Sequence, residues 1–135
     1  MLLRFVGGMG WFDAVCHTFT TMATGGFSTR SASIGAFNSA AVDWIITFFM
    51  FLAGINFSLH YRALTGKPGA YWRDAEFRFY AILLLVVISV ITLNVYVADL
   101  ASFGASLRQA AFTTVSIVTT TGFATADFDQ WPEAV

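Results

Sequence analysis

Two short stretches of this 135-residue chain repeat one another at a spacing of 96 positions. Thr24-Gly25-Gly26-Phe27-Ser28-Thr29 falls on Thr120-Thr121-Gly122-Phe123-Ala124-Thr125, and upstream Ala14 falls on Ala110 and Thr18 on Thr114. Threonine and glycine in this order suit a desolvated cation. A row of backbone carbonyls can replace the hydration shell of potassium. Turning successive carbonyls to one side needs unusual backbone angles, which glycine adopts at little cost. Threonine can add a hydroxyl oxygen. One such cluster by itself reads as a surface turn or a close helix contact; two aligned copies beside membrane spans favour an ion path.

The segments that carry these clusters, Ala14 to Thr29 and Gln109 to Ala126, hold no formal charge yet make poor spanning helices. In each, a helix-compatible stretch of about ten residues, or ~15 Å, runs into Thr and Gly. That is half a membrane. Non-helical backbone is tolerated at membrane depth where protein or a water-filled cavity surrounds it. Each segment therefore reads as a half-helix with a non-helical return. An internal repeat of this kind defines the architecture: outer helix, half-helix, return loop, inner helix.

Two other windows are long enough to cross a bilayer. Trp44 to Tyr61 has 18 residues and Phe79 to Ala98 has 20, all free of Asp, Glu, Lys and Arg. As helices they reach roughly 27 and 30 Å, close to one hydrocarbon core. The second is rich in β-branched residues, but its length and lack of breaks favour a helix over strands. Between them, Arg62 to Arg78 holds four of the chain's seven basic residues, which places it in the cytoplasm. Lys67-Pro68-Gly69 makes a turn there, and Tyr71 and Trp72 sit at headgroup level. The fold class is all-α integral membrane, with two full transmembrane helices and two re-entrant half-helices in helix–pore-loop–helix repeats like those of potassium channels.

Composition agrees. Apolar residues make up 57% of the chain and charged residues 11%, with a mean hydropathy of +0.70; a soluble domain carries about 25% charge. A net charge of -1 leaves no nucleic-acid footprint. Cys16 is the only cysteine, which excludes an intrachain disulfide and a thiolate metal cluster. The first eight residues are too short and glycine-broken for a signal peptide. An intramembrane hydrolase would need a serine or cysteine paired with His17, and no such pair is set by spacing. A membrane anchor or assembly subunit without transport would not need duplicated Thr/Gly loops.

The longer strings resemble the Trk/Ktr family of potassium uptake proteins. Trp11-Phe12-Asp13-Ala14-Val15-Cys16-His17, then Gly25-Gly26-Phe27-Ser28-Thr29, Ala32-Ser33-Ile34-Gly35 and Phe37-Asn38-Ser39 look like that family's second pore loop. Ala53 to His60 resembles the inner helix that follows, and Val115 to Phe128 the third pore loop. The resemblance implies a partial pore domain over 1–135. Its parts are a pore helix and filter of repeat two at 8–37, an inner helix at 40–62, a cytoplasmic loop at 63–76, an outer helix of repeat three at 77–98, and a third pore helix and filter at 104–128. It implies that Gly26 and Gly122 are filter glycines, with Thr24, Gly25, Phe27, Thr120, Thr121 and Phe123 flanking them on the potassium path. It also implies no cofactor, a multi-pass place in the bacterial cytoplasmic membrane, a homodimer, and a cytoplasmic nucleotide-binding regulatory ring as partner. The family has four repeats around one pore, so this chain is expected to be a fragment that does not conduct alone.

Other residues carry blander expectations. His17 packs or hydrogen-bonds inside the protein, and no second ligand stands at metal spacing. His60 is interfacial. Asn56 packs helices or lines an inner vestibule, and Asn94 packs. Arg30 is a rim charge or pairs with Asp127 or Asp129. Gly7 and Gly69, outside the repeat, should tolerate serine.

Overall fold

The computed structural model describes residues 1–66, 69–98 and 102–125, and among these all regular structure is helical. In chain order the helices are α1 (Leu2–Phe5), α2 (Trp11–Met22), a short 3-10 helix (Ser33–Phe37), α3 (Ala40–Ala53), α4 (Phe57–Leu64), α5 (Ala70–Arg73), α6 (Ala75–Val97) and α7 (Phe103–Val118). Helix α7 lies at the centre, packed on α6 on one side and α3 on the other, and α2 packs on α3. Val42, Ile46 and Met50 of α3 meet Phe112 and Val115 of α7, with Ile34, Leu84 and Phe123 closing the core. Phe112 is wholly buried, so its ring is held by close packing on every side.

Helix α6 begins where Asp74 accepts a hydrogen bond from the Phe77 amide at 2.9 Å, an N-cap that satisfies one of the free amides of the first turn. It runs 23 residues, about 35 Å. Only 17% of its apolar window is buried inside the protein, and Phe79, Ile82, Leu85, Val86, Val90 and Leu93 face outward. A face that apolar fits hydrocarbon better than water. The β-branched run is thus a helix, as its length requires.

The other expected span is not one helix. Helices α3 and α4 meet at 94° across Gly54-Ile55-Asn56. The pair has the length and hydropathy to cross a membrane only if taken together. The continuous helix expected over 44–61 is corrected to two helices set nearly at right angles. The break has a local cause at both ends. A Cβ on Gly54 would stand 2.6 Å from the Tyr80 hydroxyl and 2.8 Å from Thr119 Cγ2, so glycine lets the chain pass between α6 and α7. The Asn56 side chain then accepts from the Ser58 amide at 3.0 Å and starts α4. Two carbonyls at the end of α3 find side-chain donors: Tyr80 donates to Phe51 O at 3.3 Å, and His60 Nε2 to Leu52 O at 3.0 Å. Absence of charge, which marked this window as a span, does not register a capped break.

Candidate functional site

The repeated loops follow α2 and α7 and share one backbone path. After α2, Ala23, Thr24 and Gly25 donate to Phe19, Thr21 and Thr20 carbonyls at 2.9, 3.1 and 2.8 Å. After α7, Thr119, Thr120 and Thr121 donate to Val115, Ile117 and Ser116 carbonyls at 2.9, 3.0 and 2.9 Å. The three bonds correspond one for one at a shift of 96 positions. They form a Schellman cap, in which the residue after the C-cap turns left-handed. That residue is Thr24, with φ 50°, in one loop and Thr120, with φ 59°, in the other.

A β-branched residue at positive φ is an outlier. Each one costs about 1–2 kcal/mol relative to ordinary backbone, and glycine would serve the cap without that cost. Strain kept at both copies points to a use for these residues other than folding. Two residues on, Gly26 and Gly122 are also left-handed, with φ 64° and 83°. Gly25 and Thr121, between them, are not.

The loops lie against each other. A Cβ on Gly26 would overlap the carbonyl oxygen of Thr121, so the two backbones touch without a side chain between them. The 3-10 helix fixes the α7 loop from the other side: Ala124 N–H donates to Ser33 Oγ at 3.2 Å, and Gly35 N–H to Ala124 O at 3.1 Å. Ser116 donates to the Phe123 carbonyl at 2.8 Å, which turns that oxygen toward α7. The α2 loop is held from behind by Asp13. Its carboxylate accepts from Thr29 Oγ1 at 2.6 Å and from Arg30 Nη2 at 2.8 Å. The Thr29 hydroxyl first, and then the Arg30 guanidinium, hold the Asp13 carboxyl below its ordinary value of 3.8. Arg30 is thus paired with Asp13; Asp127 and Asp129 lie outside the described residues.

All eight residues expected at the site stand in these two loops, but not in equivalent surroundings. Gly25, Phe27, Thr120 and Gly122 are exposed, and Thr24 and Gly26 are half-buried. Thr121 is buried with its hydroxyl 2.8 Å from that of Thr119. Phe27 is 78% exposed whereas Phe123 is 4% exposed, because Phe123 enters the core and also packs on His17 of α2. Among the described residues no three His, Cys, Asp or Glu side chains come together as a metal cluster. Asp13, Ser33 and Gly35 were not among the sequence-derived site residues. Their roles depend on contacts made across 16 to 91 positions of sequence.

Comparison with known proteins adds to this geometry. The profile of the TrkH cation transport protein family matches residues 4–135. The chain belongs to the TrkH family of cation transport proteins. The TrkH potassium uptake protein of Halomonas elongata is 41% identical over 135 residues, covering 99% of this chain. That of Escherichia coli K12 is 40% identical over 137 residues, covering 97%. The crystal structure of the potassium transporter TrkH from Vibrio parahaemolyticus superposes with a TM-score of 0.90 at 40% identity, covering 96% of this chain. The chain spans 28% of the length of each of these relatives. TrkH proteins are transporters and not enzymes.

Proposed function

We propose that this chain forms part of the potassium path of a TrkH-type uptake protein in the bacterial cytoplasmic membrane, and that its two Thr/Gly loops are two walls of a selectivity filter. One observation carries the reading: the left-handed pairs Thr24/Gly26 and Thr120/Gly122 recur at the repeat spacing, each at the end of a short helix. Backbone that alternates left-handed with ordinary residues directs neighbouring carbonyls to one side, where they replace water around a potassium ion. The C-terminal ends of α2 and α7 carry partial negative charge and favour a cation beside the loops. Thr24, Gly25, Gly26 and Phe27 line the first wall, and Thr120, Thr121, Gly122 and Phe123 the second. The Phe123 oxygen is held by Ser116 and takes the smallest part.

In this reading 8–37 and 104–128 are the pore helix and filter segments, 63–76 is cytoplasmic, and 77–98 is an outer helix. The stretch 40–62 is an inner helix bent at Gly54. A homodimer and a cytoplasmic nucleotide-binding ring are the partners that the family resemblance implies. A membrane anchor without transport is the alternative, and it gives no account of strain conserved between the two loops of one chain.

The test is a chimaera in which residues 1–135 replace the matching segment of Vibrio parahaemolyticus TrkH, expressed in a strain without its own potassium uptake systems. Uptake by the chimaera, lost or made less selective by Gly122→Ser, is the expected result. A chimaera that reaches the membrane and carries no potassium overturns the reading in favour of the anchor.

A further inference from the structure

His17 is the side chain from which the two loops can be read together. It is 0% exposed, yet it is a polar ring in a place where Phe, Leu or Met would fill space at less cost. Both of its nitrogens are engaged. Nδ1 lies 2.7 Å from the backbone oxygen of Asp13, which can only accept, so Nδ1 carries the proton. Nε2, 2.9 Å from Ser28 Oγ, is then the acceptor, and the Ser28 hydroxyl donates to it. Ser28 Oγ in turn accepts from the Arg30 amide at 3.1 Å. The imidazole thus grips the α2 loop two residues beyond Gly26. Its ring meets the α7 loop as well: Phe123 lies at 5.9 Å between centroids, tilted by 34°, and Phe37 meets the ring edge-on at 5.3 Å.

The arrangement does not repeat. At a shift of 96 positions His17 becomes Thr113 and Ser28 becomes Ala124. The α7 loop is instead held through the backbone of Ala124 by Ser33 and Gly35. The two loops are therefore secured by different means, and His17 touches both.

We propose that His17 is a positioning residue for ion selectivity: through the Ser28 hydroxyl on one loop and the Phe123 ring on the other, it sets the spacing between the two walls. The inference rests on the filter reading above. A carbonyl filter distinguishes potassium from sodium by where its oxygens stand and how they are held, so a slack wall should lose discrimination before it loses flux.

The experiment uses the same chimaera in proteoliposomes, with potassium and sodium flux and melting temperature measured side by side. Ser28→Ala removes one hydroxyl and no packing; His17→Phe keeps a ring against Phe37 and Phe123 without either bond. Ser28→Ala should lower the potassium-to-sodium flux ratio about three- to tenfold, the range expected for one lost hydrogen bond, and His17→Phe, which loses both imidazole bonds, by at least as much. His17→Gln, whose amide supplies a donor and an acceptor, should recover part of the ratio that His17→Phe loses, and Gly69→Ser should leave it unchanged. Lower melting temperatures with a parental ratio in both Ser28→Ala and His17→Phe would mean that His17 only fills the core, and would overturn the proposal. If His17→Phe does not reach the membrane, Ser28→Ala decides alone. If the unsubstituted chimaera carries no potassium, the filter reading fails and this inference falls with it; potassium flux with an unmoved ratio removes this inference only.

Discussion

Alanine at Gly26 and alanine at Gly122 should not be equivalent, although the two glycines align in the repeat. Both positions are left-handed, so a Cβ at either costs about 1–2 kcal/mol in backbone strain. At Gly122 nothing lies within 4 Å of the added carbon. At Gly26 the same carbon overlaps the Thr121 carbonyl oxygen and comes within 2.9 Å of its carbon. Forced overpacking adds about 1–3 kcal/mol, and here the group that must move is itself a proposed filter oxygen. At about 1.4 kcal/mol per factor of ten, Gly122→Ala should reduce potassium flux through the chimaera roughly tenfold. Gly26→Ala should reduce it by roughly a further tenfold or more. The assay is potassium flux in proteoliposomes at matched protein content, with the sodium flux recorded beside it. Equal losses, or a larger loss at Gly122, would show that the contact between the two loops does not govern the path. Gly69→Ser is the control, since its Cβ also meets open space. Gly7, expected from the repeat to be tolerant, is not suitable: a Cβ there would lie 2.6 Å from Leu3 O and 2.7 Å from Val42 Cγ2.

Cysteine at Gly66 should be labelled from the cytoplasmic side and cysteine at Ser102 from the outer side; the reverse pattern would invert the topology. Gly54→Ala should lower the melting temperature through its clash with Tyr80 and Thr119, by an amount equivalent to about 1–3 kcal/mol. Tyr80→Phe should recover part of that loss by removing the nearer atom, and additive losses in the double-mutant cycle would argue against the contact. The depressed Asp13 carboxyl should stabilise the folded state fully above its ordinary value of 3.8, and that stabilisation should fade as pH falls through its lowered value. Asp13→Asn should therefore flatten the fall of the melting temperature as pH drops below 3.8; an unchanged slope would place the acid sensitivity elsewhere.

Much of this protein was legible in one dimension because it rests on local chemistry. A helix that must hide its own polar backbone in lipid needs a long uncharged run, and Phe79 to Val97 supplies it within one helix. The repeat at 96 positions announced paired loops after short helices, and the left-handed turns stand at the aligned positions. What sequence could not give is how the copies differ. Phe27 and Phe123 are identical in type and opposite in burial, because only Phe123 joins the core between the helices, with His17 against it. Gly26 and Gly122 share a conformation but not a neighbour. The break between α3 and α4 escaped because hydropathy sums over a window. The bend is set at Gly54, which fits against Tyr80 and Thr119, and at Asn56, which donates to Glu76 at 3.3 Å, and all three neighbours lie outside the segment. Local sequence determines which backbone states are affordable to each segment. Which atoms press on a given glycine, and which hydroxyl a buried imidazole holds, is decided only when segments remote in the chain pack together, because those forces act over a few ångströms of space and not along the sequence.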